Sequence, residues 1–141
     1  LKKEVDLMLN IRNLAGLTPH QFKELKKAGV TSFEKFLEAT TTKQARIELA
    51  EKTNIHEELI LMWANHADLA RIKGIAGRYA DLLEHIGVDT TIELAHRNPD
   101  HLYEMMMKVN NQLGFVKRLP SVTQVEAWIT EANHMTRKLK Y

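Results

Sequence analysis

Two stretches of this chain, 58 residues apart, carry the same punctuation. Leu14-Ala15-Gly16-Leu17 is matched by Ile72-Lys73-Gly74-Ile75, Leu25 by Leu83, and Gly29-Val30 by Gly87-Val88. A glycine between apolar neighbours marks a turn that a Cβ would strain. A second glycine 13 residues later sits where a short helix would end. Downstream, Trp63 and Ala67 are echoed by Trp128 and Ala132 at an offset of 65, so the second unit carries a longer insertion. A period of this length predicts two related units, each a glycine turn with its helix, a short helix, a longer helix and a Trp-bearing helix.

Between these marks the sequence reads helical almost throughout. Leu59, Met62, Trp63, Ala67 and Ala70 follow helical spacing, as do Val125, Trp128, Ile129, Ala132 and Met135. Asn98-Pro99 is an N-cap followed by a proline suited to the first helical position. Ser121 with Gln124, and Thr31 with Glu34, have capping-box spacing. Helices are predicted over 4–13, 19–28, 32–39, 42–53, 56–72, 78–86, 90–96, 99–112 and 121–139, with a loop from Gly114 through Arg118. The fold class is therefore all-α. We expect one domain over 1–141, built from units 4–70 and 71–141 in tandem and packed as a pseudo-symmetric compact whole. Its core should include Leu25, Phe33, Phe36, Leu59, Trp63, Ile72, Leu82, Leu83, Val88, Leu94, Val125 and Trp128.

Composition narrows the function classes. There are no cysteines, which excludes disulfides and thiolate metal sites and fits a reducing, cytoplasmic setting. The longest apolar run, Leu59 to Ala64, is six residues, against the ~20 that a membrane helix needs. The first residues carry no signal-peptide pattern and no initiator methionine, as in a fragment of a longer protein. The net charge of +2 is too small to argue for nucleic acid by itself, but its distribution is uneven. Residues 12–27 carry +3 and residues 108–141 carry +4, whereas 31–70 and 85–107 carry −3 each.

The glycine turns carry the chemistry. In the second unit the pattern runs Ile72, Lys73, Gly74, Ile75, Ala76, Gly77, Arg78, Tyr79, then Leu82, Leu83, Ile86 and Gly87-Val88. Such a turn leaves the amides at the start of the following helix pointing outward, where they and the helix dipole suit a phosphate. Arg78 is placed to strengthen that contact, with Lys73 beside it. In the first unit the equivalents are Gly16, Thr18 and His20, with Lys23 one turn further on and Arg12 just before.

On these residues the chain resembles the helix-hairpin-helix superfamily, whose members bind DNA backbones without reading bases. Over residues 11–132 it is similar, more closely, to a bacterial and archaeal tandem helix-hairpin-helix domain of unknown function. The stretches that carry this are Ile72 to Ala80, Gly87-Val88-Asp89-Thr90, Ala95-His96-Arg97-Asn98-Pro99, Leu119-Pro120-Ser121 and Val125-Glu126-Ala127-Trp128. A looser likeness to the N-terminal domain of strand-exchange recombinases runs from Ile72 to Leu83. The resemblance implies a tandem hairpin fold and a DNA-backbone partner. Two departures stand out. The second glycine usual in DNA-binding hairpins is Thr18 in one unit and Ala76 in the other, and Pro19 removes an amide from the first.

Other residues invite narrower readings. Trp63 and Trp128 sit on apolar helical faces and are expected in the core. Met105, Met106 and Met107 point around a helix, so at least one faces outward and could meet a protein partner. His101 and Glu104 share a helical face, but no second pair at ligand spacing follows, and His56 has no zinc-protease partner; no metal is expected. No nucleophile, phosphate loop or paired carboxylates can be recognised, so neither catalysis, a cofactor nor a small-molecule substrate is expected. The leading expectation is a non-catalytic module that binds a nucleic-acid backbone through Lys73, Gly74, Ala76, Gly77 and Arg78, with Arg12, Gly16, Thr18, His20 and Lys23 secondary. The alternative is a protein-interaction adaptor or a structural subunit of a larger assembly.

Overall fold

The computed structural model describes Ile11, Leu14, and residues 16–75 and 77–141. Among them eight α-helices follow one another: α1 (Pro19–Lys27), α2 (Phe33–Ala39), α3 (Lys43–Thr53), α4 (Glu57–Leu69), α5 (Arg78–Ile86), α6 (Thr91–Ala95), α7 (Pro99–Leu113) and α8 (Val122–Asn133). The helix expected over 4–13 falls almost wholly outside the described residues. The described residues up to Asp68, together with Lys138–Tyr141, form one compact unit; Leu69–Arg137 form another. None of these helices is long and apolar enough to cross a membrane.

In the first unit each helix is bounded by local chemistry. Thr18 caps α1 through a capping box with Gln21, and Pro19 opens the helix. Gly29, at φ +83°, lets the chain leave α1 while the Val30 amide donates to Leu25 O at 2.9 Å. The cap of α2 is Ser32 rather than the expected Thr31: its hydroxyl accepts from the Lys35 amide at 3.1 Å. α1 and α2 both pack on α3. Phe36, Ile60 and Trp63 are fully buried, and Phe36 meets the Trp63 ring edge-on at 6.3 Å. Each such side chain contributes about 1.5–3 kcal/mol by leaving water. Leu59 is only half-buried.

Arg46 is a buried cation, 3% exposed. It donates to the carbonyl of Thr40 at 2.9 Å, at the C-terminus of α2, where the helix dipole favours positive charge. Its guanidinium also lies 5.7 Å from the Tyr141 ring centre. The last residues are held on this unit: Leu139 is buried, the Lys140 amide donates to Thr41 O at 2.7 Å, and the Tyr141 hydroxyl donates to Asn65 Oδ1 at 2.7 Å.

The second unit is closed in similar ways. Gly87, at φ +99°, ends α5, and the Val88 amide donates to Leu83 O at 2.9 Å. Thr90, Asn98 and Ser121 cap α6, α7 and α8 through their side chains. α5 packs on α7, while α6 and α7 pack on α8. Ile72, Leu82, Leu83, Val88, Leu94, Leu102, Met106 and Val125 form its core with Trp128. α4 and α8 end at Leu69 and Asn133, short of the expected 72 and 139. The apolar pattern runs past both ends because Ile72 and Leu139 are buried from non-helical backbone.

The same backbone bonds recur 58 residues apart. Leu14 N–H donates to Ile11 O and Leu17 N–H to Leu14 O; Ile72 N–H donates to Leu69 O and Ile75 N–H to Ile72 O. The Val30–Leu25 and Val88–Leu83 bonds correspond, as do the caps Ser32 and Thr90. Gly16 and Gly74 both take positive φ, +76° and +94°. The correspondence loosens downstream. α3 has 11 residues and α7 has 15, and the connection that follows is residues 54–56 in one case and 114–121 in the other.

Two predictions follow from the caps. Ser32→Ala should destabilise the first unit by about 1 kcal/mol in urea denaturation, with Thr31→Ala near neutral; equal losses would return the cap to Thr31. Asp89, beside the α6 cap, has its carboxyl pushed above the usual value of 3.8 by partial burial, and then by the negative charge of Glu93, which also accepts the Asp89 amide at 3.0 Å. A raised carboxyl contributes stability below 3.8 that is lost as pH rises through the folded-state value. Asp89→Asn should therefore raise the melting temperature at pH 7, and the gain should vanish as the pH falls below 3.8.

Candidate nucleic-acid interface

The turn at Gly74 is flanked by buried residues. Ile72 and Ile75 are buried on either side of Lys73 and Gly74, so the turn between them is held against the core. A Cβ on Gly74 would lie 3.2 Å from Trp128 Nε1 and 3.5 Å from Gln124 Nε2. Gly74 thus meets two demands, a positive φ and a close approach of backbone to indole. Trp128 is 2% exposed, and its ring N–H meets no acceptor among the described residues. Tyr79 packs edge-on against it at 5.9 Å. Lys73 is exposed.

Gly77 begins α5 at φ +57° and offers no side-chain cap. Helix geometry leaves the amides of Arg78, Tyr79 and Ala80 without intrahelical acceptors. The Asp81 amide is the first to close back, onto Gly77 O at 3.3 Å. Three backbone donors at the positive end of a nine-residue helix suit an anion.

Arg78 is exposed but also held by contacts within the protein. Its Nε donates to Phe115 O at 3.0 Å and its guanidinium lies 4.9 Å from the Phe115 ring centre. A further contact reaches Asp81 at 3.5 Å, an exposed pair that contributes about 0–1 kcal/mol. Arg78 therefore ties the α7–α8 loop to the start of α5. Tyr79 makes a second tie, its hydroxyl donating to Arg118 O at 2.6 Å. Asn110 holds the loop from the other side: its amide nitrogen donates to Val116 O at 3.0 Å and its oxygen accepts the Val116 amide at 2.9 Å.

The start of α1 is closed in another way. The Thr18 hydroxyl accepts the Gln21 amide at 3.1 Å, and Gln21 Oε1 accepts the Thr18 amide at 3.0 Å. Pro19 has no amide to offer. Of the donors at the start of α1, only that of His20 is left over. His20 and Lys23 are exposed, as is Gly16. Lys27 pairs with Glu24 at 3.4 Å.

Residues 15–135 match the family described as Domain of unknown function (DUF4332). The chain belongs to that family. No curated protein and no solved structure matches it. The match takes in both glycine turns of this DUF4332 domain. Of the residues expected to hold phosphate, Lys73, Gly74, Gly77 and Arg78 lie together around the start of α5, Gly16, Thr18, His20 and Lys23 lie around the start of α1, and Arg12 and Ala76 fall outside the described residues. Sequence reasoning missed Gln124 as a neighbour of Gly74, and the ties from Arg78 and Tyr79 to the loop carbonyls of Phe115 and Arg118. The available signal was the longer insertion of the second DUF4332 unit together with the positive charge after residue 108.

Gly74→Ala should cost about 1–3 kcal/mol, since the new Cβ meets both a positive φ and the indole. Urea denaturation followed by tryptophan emission checks this, and the emission of the folded variant should shift as Trp128 is displaced. An unchanged midpoint and spectrum would show that the turn tolerates a side chain.

Proposed function

We propose that this chain is a non-catalytic module of two helix-hairpin-helix units in tandem, which binds the phosphate backbone of nucleic acid without reading sequence. The second hairpin makes the contact. The observation that carries the reading is the uncapped start of α5, with three amides at its positive end beside the exposed Lys73. The recurrence of hairpin hydrogen bonds at a spacing of 58 residues supports the tandem reading. The first hairpin contributes less, because its own side chains and Pro19 use up the equivalent donors. A backbone contact of this kind is electrostatic, so affinity falls steeply with salt and depends little on sequence. A nucleic-acid partner also agrees with a cytoplasmic setting.

A second reading has an observation of its own. On α7, Met105, Met107 and Leu113 are 40%, 41% and 53% exposed. Exposed flexible apolar side chains suit a protein partner, as an adaptor or assembly subunit would need.

Fluorescence anisotropy of a labelled generic duplex decides between them. Micromolar binding at ~50 mM salt, weaker at ~200 mM and weaker again in Lys73→Glu, is the expected result. Arg78→Glu is a poorer probe, since it also releases the loop from Phe115 O. Absence of binding at ~50 mM salt would overturn the nucleic-acid reading for duplex DNA and leave the α7 face as the functional surface.

A further inference from the structure

We infer that Arg46 anchors a binding site for a small phosphate-type oxyanion in the first unit, and that Tyr141 is the cover of that site. The inference is independent of the nucleic-acid reading, since neither residue belongs to a glycine turn.

The first argument is a charge without a counter-charge. Arg46 is 3% exposed. Among the described residues only its Nη1 has a hydrogen-bond acceptor, Thr40 O at 2.9 Å, and no carboxylate pairs with it. The rest of its donor fork is unused. A buried ion is costly unless it is paired and hydrogen-bonded. The C-terminal end of α2 supplies at most about half a negative charge, and the Tyr141 ring supplies no formal charge. Part of the positive charge is therefore left unbalanced in a buried place, and an oxyanion neutralises it. The planar fork of a guanidinium takes two oxygens of such an anion at once.

The second argument is the cover. Tyr141 is 55% exposed, yet its ring centre lies 5.7 Å from the guanidinium carbon of Arg46. The bond from its hydroxyl to Asn65 Oδ1 is at the surface, where water replaces it at little cost. The backbone of this segment is held separately, by Leu139 in the core and by the Lys140 amide on Thr41 O. The ring is thus free to turn aside while the segment stays in place, and turning uncovers Arg46.

The third argument is the surrounding charge. The bond between Lys140 and Thr41 joins residues 138–141 to the stretch 39–47. Together these carry Lys43, Arg46, Lys138 and Lys140 and no acidic residue. The three lysines are exposed and have no ion-pair partner among the described residues. Such a stretch attracts a multiply charged anion more strongly than a carboxylate. Phosphate meets both demands, with oxygens for the fork and more than one charge for the field.

The test titrates the whole chain with inorganic phosphate at constant ionic strength and follows the backbone amide and Arg46 Nε–H resonances by NMR. The wild type should show a saturable shift at Arg46 Nε–H and at Thr40 and Thr41, with a midpoint of about 1–10 mM. Tyr141→Ala should lower that midpoint about threefold or more, because a cover divides the affinity by the fraction of molecules that are open. Arg46→Met should lose the shift and keep the wild-type spectrum elsewhere. If Arg46→Met does not fold, Arg46→Lys takes its place and should weaken binding about tenfold, since a point charge lacks the fork. Absence of a saturable shift at Arg46 in both the wild type and Tyr141→Ala would overturn the inference. An unchanged midpoint in the Arg46 variant would place phosphate elsewhere and overturn it as well. So would an unchanged midpoint in Tyr141→Ala, which leaves the ring no covering role.

Discussion

The indole of Trp128 lies where a side chain on Gly74 would have to go, and this contact sets the level at which the Gly74 turn sits on the core. Much of the second unit is placed by it. Ile72 and Ile75 are buried on either side, Tyr79 packs edge-on against the same indole, and α5 starts where the turn releases the chain. Among the described residues the buried N–H of the indole has no acceptor, a cost of about 1–3 kcal/mol. The burial of so large a ring outweighs this only if the backbone comes close enough to exclude water. A glycine is what permits that approach.

The two glycine turns share a set of backbone hydrogen bonds and differ in how the donors at the start of the following helix are used. In the first, Thr18 and Gln21 satisfy one another and Pro19 withdraws. That arrangement stabilises α1 and leaves little for a ligand. In the second, Gly77 supplies no cap, and stability comes instead from ties between α5 and a distant loop. The start of α1 is closed by its own side chains, while that of α5 has no side-chain cap. Recurring backbone bonds thus need not bring the same capping with them.

Much of the fold was legible because its signals are local. Asn98-Pro99 and Ser121 cap the helices they were expected to cap, and Gly29 and Gly87 adopt the left-handed backbone expected of them. The cap of α2 was expected at Thr31 and lies at Ser32, since composition does not separate neighbouring hydroxyls that can both accept an amide. Helix ends at Leu69 and Asn133 were misplaced because burial of Ile72 and Leu139 continues the apolar pattern beyond the helices. The role of Arg78 was illegible for a different reason: its acceptor is a carbonyl 37 residues away, and no spacing rule reports such a contact. Arg46 carried no signal either, since a buried arginine is explained only by the helix end and the ring that surround it.

The last four residues return to the first unit after the chain has passed through the whole of the second. Leu139 enters the core, Lys140 bonds to Thr41, and Tyr141 reaches Asn65 and covers the buried Arg46. On the ribosome, where segments fold in order of emergence, the first unit must therefore wait with an unfinished surface until every residue of the second has been made. The unit that begins folding first is the last to be completed, and its assembly is timed by synthesis of its neighbour.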